Sequence, residues 1–253
     1  MQIYLTMAPE DYRKAAGLPF RTAHLAYQIG EDGRLHRRSA RQTQGGLMAL
    51  SDPAAPPIRE SGPLCREILR TCINHAFEGV CADFGPQSTP DRAAFLTELG
   101  PLLQRSSKKL FVSAAYGRTA PSAHVLVNTA LSGGTLATLL ADACRTFGRE
   151  RVALDIERLR MDFLLPSPTG EGALLSREAL EALLKERSPS VFFSHELCAK
   201  YFTYQQDGQA HFVLFDDADT IRCKLNLGKK MAFPYAFLLC SEVEDLLEEL
   251  RRN

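Results

Sequence analysis

The sequence predicts an α/β chain closed into a TIM-type (β/α)8 barrel, with some helices missing or shortened and a small α+β insertion after the seventh strand. Three observations carry this. Short apolar runs rich in β-formers recur at residues 3–7, 23–29, 47–50, 80–84, 110–115, 125–128, 152–156 and 236–240, each bounded by turn residues. Stripes of helical period lie between several of them. Near-continuous apolar runs are what a parallel sheet covered on both faces requires, and eight of them favour a closed barrel over an open sheet.

The helices follow in order. Residues 63–77 place Leu64, Ile68, Leu69 and Ile73 on one stripe. Thr89 is placed to cap a second helix with Pro90 at its first position, and Phe95, Leu99, Leu102 and Leu103 follow at helical spacing. Residues 136–147 and 176–187 form similar patterns. Asp219 is expected to cap a helix carrying Ile221, Leu225, Gly228 and Met231, and residues 243–251 form a last helix. Two connections break the rule. Residues 115–125 leave too little room for a crossover helix, which needs roughly a dozen residues. Residues 30–46 open on a hairpin-like Glu31-Asp32-Gly33 turn and hold little apolar periodicity. The insertion, 163–215, contains its own helix and a hairpin, 200–206 with 209–215, around Asp207-Gly208. The expected organisation is one domain, 1–253, with 163–215 as a subdomain on the barrel rim.

Composition excludes several function classes. Of 253 residues, 45% are hydrophobic, and 30 basic side chains balance 30 acidic ones. That balance argues against a nucleic-acid partner, since the one basic cluster, Arg34 to Arg41, biases no net charge. No run approaches the length of a membrane span, and no basic segment followed by an apolar run and a cleavage site marks a secretory signal. The seven cysteines form no CxxC pair and mostly sit in apolar runs, as buried reduced thiols do. A reducing, cytoplasmic setting is expected, with spore or envelope association as the alternative. Nothing points to a cofactor or a metal; His195 with Cys198 suggests a ligand pair, but nothing nearby completes a tetrahedral set.

Candidate site residues follow from where strands end in such a barrel. Asp155 and Glu157, with Arg158 and Asp162, cluster after the seventh strand and read either as a polar site or as a salt-bridged rim. Tyr27 and Tyr116 follow strands and could line a pocket or cap the core. His24 and His124 start apolar runs and read as structural. Gly133-Gly134 is a turn rather than an anion cradle.

The stretch Phe77-Glu78-Gly79-Val80-Cys81-Ala82-Asp83-Phe84-Gly85 resembles the fourth-strand signature of glycoside hydrolase family 18, Asp-Gly-x-Asp-x-Asp-x-Glu. Glu78 matches the first Asp, Gly79 the glycine and Asp83 the third Asp. Cys81 replaces the middle Asp and Gly85 replaces the Glu. The run from Lys109 to Tyr116 resembles the family's fifth strand. Residues 23–35, with the Asp32-Gly33 turn, resemble its second strand. The segment 204–241, with Phe215-Asp216-Asp217, Ile221 and Lys224, resembles the C-terminal part of members found among bacterial spore-cortex hydrolases.

The resemblance implies a substrate-assisted cleavage beside N-acetylglucosamine, in which the sugar's acetamide attacks its own anomeric carbon. The motif Glu protonates the leaving oxygen, and the Asp two residues earlier orients the acetamide. Spacing of two along a strand points both groups to one side. Asp83 retains the orienting role, or else is a structural acid at the barrel mouth. Gly85 has no proton to give, and loss of a general acid costs about 10²–10⁴ in rate. The family's strand-six Met-x-Tyr-Asp is absent, with Val127-Asn128-Thr129-Ala130 in its place. No tryptophan floors a sugar site; Cys240-Ser241 stands where the family carries one. The expected function is therefore an inactive family member binding an N-acetylated glycan or a protein partner. Its ligand-site candidates are Tyr27, Asp83, Tyr116, Asn128, Asp155 and Glu157. The alternatives are a glycosidase using Asp155 or Glu157 as acid, and an interaction protein with a closed mouth.

Overall fold

The computed structural model describes residues 1–51, 56–167 and 170–251. The expected domain, 1–253, and insertion, 163–215, each run through residues outside those ranges. Eight parallel strands close a barrel: β1 (Gln2–Met7), β2 (Arg21–His24), β5 (Leu47–Ser51), β6 (Gly79–Asp83), β7 (Lys109–Ser113), β8 (His124–Asn128), β9 (Val152–Ile156) and β15 (Tyr235–Leu239). β1 closes the ring by pairing with both β15 and β2. Every barrel strand falls on an apolar run read from sequence. The run 23–29 divides, however. It leaves the barrel at His24, and β3 (Tyr27–Ile29) pairs antiparallel with β4 (Leu35–Arg37) outside it.

Alternation along each strand sends Tyr4, Leu47, Ala49, Cys81, Phe111, Leu126, Ala153 and Phe237 into the barrel, where they form one packed cluster. Phe237 stacks on Tyr4 at 5.1 Å between ring centroids and meets Phe111 edge-on at 4.9 Å. Ala49 and Ala153 complete the same cluster as its small members. Gly79 opens β6 because an added Cβ would lie 2.1 Å from the Lys109 carbonyl oxygen; only glycine lets the two strands approach there.

Helices α1 (Ser61–Asn74) and α2 (Pro90–Arg105) cover one side and α3 (Leu136–Phe147) another. A 3₁₀ turn at Ala114–Tyr116 stands where the short 115–125 connection left no room for a crossover helix, and residues 30–46 hold β4 and no helix; a further 3₁₀ turn, Pro9–Asp11, follows β1. Between β9 and β15 the chain builds a five-stranded antiparallel sheet of β10 (Arg160–Leu165), β11 (Ala173–Leu174), β12 (Phe192–Ser194), β13 (Ala199–Gln206) and β14 (Gln209–Phe215), with α4 (Arg177–Arg187) on one face. The sheet starts at Arg160, before the boundary expected at 163.

After the sheet, α5 (Ala218–Lys230) returns the chain to the barrel. Asp217, not Asp219, caps α5: its carboxylate accepts from the Asp219 and Thr220 amides, and Thr220 Oγ1 reciprocates at the Asp217 amide. The Thr220 hydroxyl three residues after Asp217 completes a capping box there, which Asp219 lacks as the second residue of the helix. The last expected helix is two, α6 (Cys240–Val243) and α7 (Leu247–Arg251), joined by a 3₁₀ turn.

Among the described residues no helix is long and apolar enough to cross a membrane. The expectation that all cysteines are reduced is corrected at one pair: Cys198, before β13, and Cys223, on α5, form a disulfide across 25 residues. Sequence distance concealed a contact that exists only once the sheet folds back on the barrel helix. The remaining five cysteines are free.

Candidate functional site

The barrel is polar at both ends, in different ways. At the N-terminal end Glu78 accepts a hydrogen bond from the Tyr4 hydroxyl at 2.9 Å and pairs with Arg21 and with Lys109. Its charge is fully matched by cations. The C-terminal end opens into a cavity of about 280 Å³. Cys81, Leu126 and Phe237 form its apolar base, and Asp83, Asp155 and Glu157 stand on its wall. Asp83 and Asp155 each occupy a strand's C-terminal end with an inward-pointing partner two residues earlier, Cys81 and Ala153.

Electrostatics at this end run the other way from the base. Burial pushes the Asp155 carboxyl up to about 7, and the nearby charges of Asp83 and Glu157 push in the same direction. Burial, followed by Asp83 and Asp155, holds the Cys81 thiol well above its ordinary range, so it stays protonated and unreactive. Asp83 accepts a 3.1 Å bond from the Gly85 amide, and the Gly85 carbonyl accepts from Ser113 Oγ at 2.9 Å. Gly85 itself sits at a φ of +85°, in the left-handed region. The position matching the motif's proton donor is thus a pinned turn.

The sequence candidates separate into two groups. Asp83, Asp155 and Glu157 meet in one cavity. Asn128 is exposed at the rim, donating to Glu157 through Nδ2 and accepting from the Ala130 amide. Tyr27 and Tyr116 do not line the cavity, which corrects that expectation. Tyr27 packs against Phe77 and His75 at 5% exposure, with its hydroxyl near Thr43. Tyr116 is fully buried, its hydroxyl donating to the Gln87 carbonyl and accepting from the Thr89 amide. Arg158 and Asp162 also turn away: Arg158 pairs with Asp245, and Asp162 accepts from the Tyr204 hydroxyl. His24, read as opening a strand, closes β2 instead and contacts Tyr12 and the Gly45 carbonyl.

Sequence reasoning missed Thr6, Leu239 and Glu242, which also line the cavity. Thr6 and Leu239 pair in register across β1 and β15. Their strand-end positions were the available signal. No group of three or more His, Cys, Asp or Glu among the described residues could hold a metal ion.

No protein-family model matches the chain, and no curated protein does. Solved structures do. A chitinase from Chromobacterium violaceum superposes with a TM-score of 0.71 at 15% identity, over 100% of this chain and 99% of that one. The fold is that of the family 18 glycoside hydrolases. The spore cortex-lytic enzyme SleL of Bacillus cereus is similar over 98% of this chain and 74% of its own, with a TM-score of 0.69 and 15% identity. A family 18 chitinase from Cycas revoluta, solved in complex with (GlcNAc)3, gives 0.67 at 11% identity, over 99% of this chain and 98% of its own. At these identities the likeness is one of fold, and the chemistry rests on the cavity described above.

Proposed function

We propose that this protein is a glycan-binding barrel of the family 18 type that does not hydrolyse its ligand. The observation that carries the reading is Gly85: a left-handed glycine, hydrogen-bonded through both its backbone groups, stands where the family motif places its proton donor. Asp83 remains available at the cavity wall to orient an acetamide, and the apolar base of Leu126 and Phe237 suits the C–H face of a sugar ring. A cavity of about 280 Å³ supports a seated ligand over a closed mouth. The segment 163–215 belongs to the same proposal, as a subdomain on the barrel rim. So does a spore or cell-envelope setting, which the likeness to SleL favours.

One observation favours a second reading. An Asp155 carboxyl raised to about 7 is protonated in part at neutral pH, as a general acid must be. In that reading Asp155 replaces the lost motif Glu. A single pair of measurements separates the two. Calorimetric titration with an N-acetylglucosamine tetramer is expected to show binding, while a fluorogenic chito-oligosaccharide is expected to show no turnover. Turnover abolished by Asp155→Asn would establish the second reading. Absence of binding by any amino-sugar oligomer would end both.

A further inference from the structure

The three wall carboxylates have no cation. Asp83, Asp155 and Glu157 take part in no ion pair among the described residues, whereas Glu242 at the same cavity is paired with Arg160 at 2.7 Å. Asp83 is met by the Gly85 amide and Glu157 by the Asn128 amide nitrogen. Among the described residues the Asp155 carboxyl has no hydrogen-bond partner, its backbone carbonyl alone accepting from Thr129. Beneath them the Cys81 thiol, 5% exposed, lines the cavity and is likewise unpartnered. Among the described residues no lysine or arginine lines this cavity. The contrast with Glu78 at the other end, where three side chains answer one acid, is sharp.

Uncompensated acids in a confined space are costly unless something enters to balance them. A bare metal ion finds no ligand set among the described residues, where no three His, Cys, Asp or Glu side chains are placed to hold one. The space suits an organic cation that brings its positive charge on a compact polar frame.

We infer that the unit seated in the mouth is a hexosamine with a free, protonated amine, and that the acids select it over its N-acetylated form. This rests on the reading that the mouth binds an amino-sugar polymer, and adds that the recognised polymer is partly deacetylated. The ammonium would lie among Asp83, Asp155 and Glu157, the ring on Leu126 and Phe237. Asp155 is faced by Asp83 and Cys81 from β6, by Glu157 on its own strand's extension and by Glu242 from α6. The neighbouring cations are engaged elsewhere: Arg160 pairs with Glu242, and Arg158 pairs with Asp245.

Entry of a cation favours the ionised form of Asp155, so binding expels a proton where Asp155 is protonated beforehand. The experiment is calorimetric titration at pH 6 with glucosamine tetramer and N-acetylglucosamine tetramer, in buffers of different ionisation enthalpy. The expected result is roughly tenfold tighter binding of the free amine, weakening with added salt. Release of about one proton per ligand should accompany the glucosamine oligomer and not the acetylated one. Asp155→Asn should abolish the proton release, with circular dichroism confirming the fold; the wild-type buffer comparison stands without it.

Equal or tighter binding of the acetylated tetramer, or no proton release, would overturn this inference while leaving the glycan-binding reading intact. A tetralysine binding as tightly as the glucosamine tetramer would overturn the sugar assignment. Failure of both sugars to bind would instead remove the parent reading.

Discussion

Lys224 Nζ lies 2.6 Å from Asp216 Oδ2, and neither side chain is more than 1% exposed. The same Asp216 oxygen accepts from the Leu159 amide at 2.9 Å, and the Arg158 guanidinium reaches the Asp216 carbonyl. A buried ion pair therefore joins the last residues of the sheet to the exit of β9 and to α5.

Removing one partner leaves the other charge buried alone. Lys224→Met is expected to cost about 3–5 kcal/mol of stability. Urea unfolding followed by circular dichroism measures it, and a cost below about 1 kcal/mol would show that water reaches the pair.

Asp155 is expected to weaken the fold above neutral pH. Its folded-state affinity for a proton exceeds that of the unfolded chain, so its contribution is favourable at low pH and is lost as pH rises from about 3.8 towards about 7. Asp155→Asn should raise stability at pH 8 by on the order of 2–4 kcal/mol, with the gain shrinking towards pH 4. Unfolding curves at the two pH values test it. Stabilisation by removing a site residue is the expected sign of a group held there for binding.

His24 acts in the opposite sense. Burial pushes its imidazole down to about 4, so it stays neutral in the native state well below the 6.5 of an unfolded histidine. Its contribution is present above 6.5 and is lost as pH falls towards 4, by on the order of 2–3 kcal/mol. Titration by NMR should show a His24 ring that does not charge between pH 7 and 5. A midpoint near 6.5 would mean that the Tyr12 contact opens in solution.

Gly85→Glu restores the motif's residue type but not its backbone. A side chain at a φ of +85° is strained, with an expected cost of about 1–2 kcal/mol. We expect a lower Tm and no chitinase turnover, because the turn is held by Ser113 and by the Asp83 carboxylate. Turnover in this variant would mean that one side chain was all the site lacked.

Much of the barrel was legible because its strands are buried on both faces, and such strands carry their signal in the chain itself. Val152 to Ile156 and Val125 to Asn128 are readable without any neighbour. The mouth acids were legible for the same reason, since Asp83 and Asp155 each stand one residue before the end of such a run. What could not be read depends on partners far along the chain. Tyr116 belongs to the core only because the Gln87 carbonyl and Thr89 amide meet its hydroxyl. Cys198 and Cys223 become neighbours only when the sheet docks on α5. The break at His24 reflects Tyr12 and Gly45, which no local periodicity encodes.

The Asp216 amide donates to the Leu159 carbonyl at 2.8 Å, so the chain that departs from the barrel at Leu159 is back beside it 57 positions later. The five-stranded sheet is fastened beside that bond and again through the Cys198–Cys223 disulfide, the Lys200–Asp217 pair and the Arg160–Glu242 pair. Any change in the length of the sheet must therefore keep Cys198 and Lys200 within reach of α5, while the eight strands beneath and the acids of the cup stay as they are.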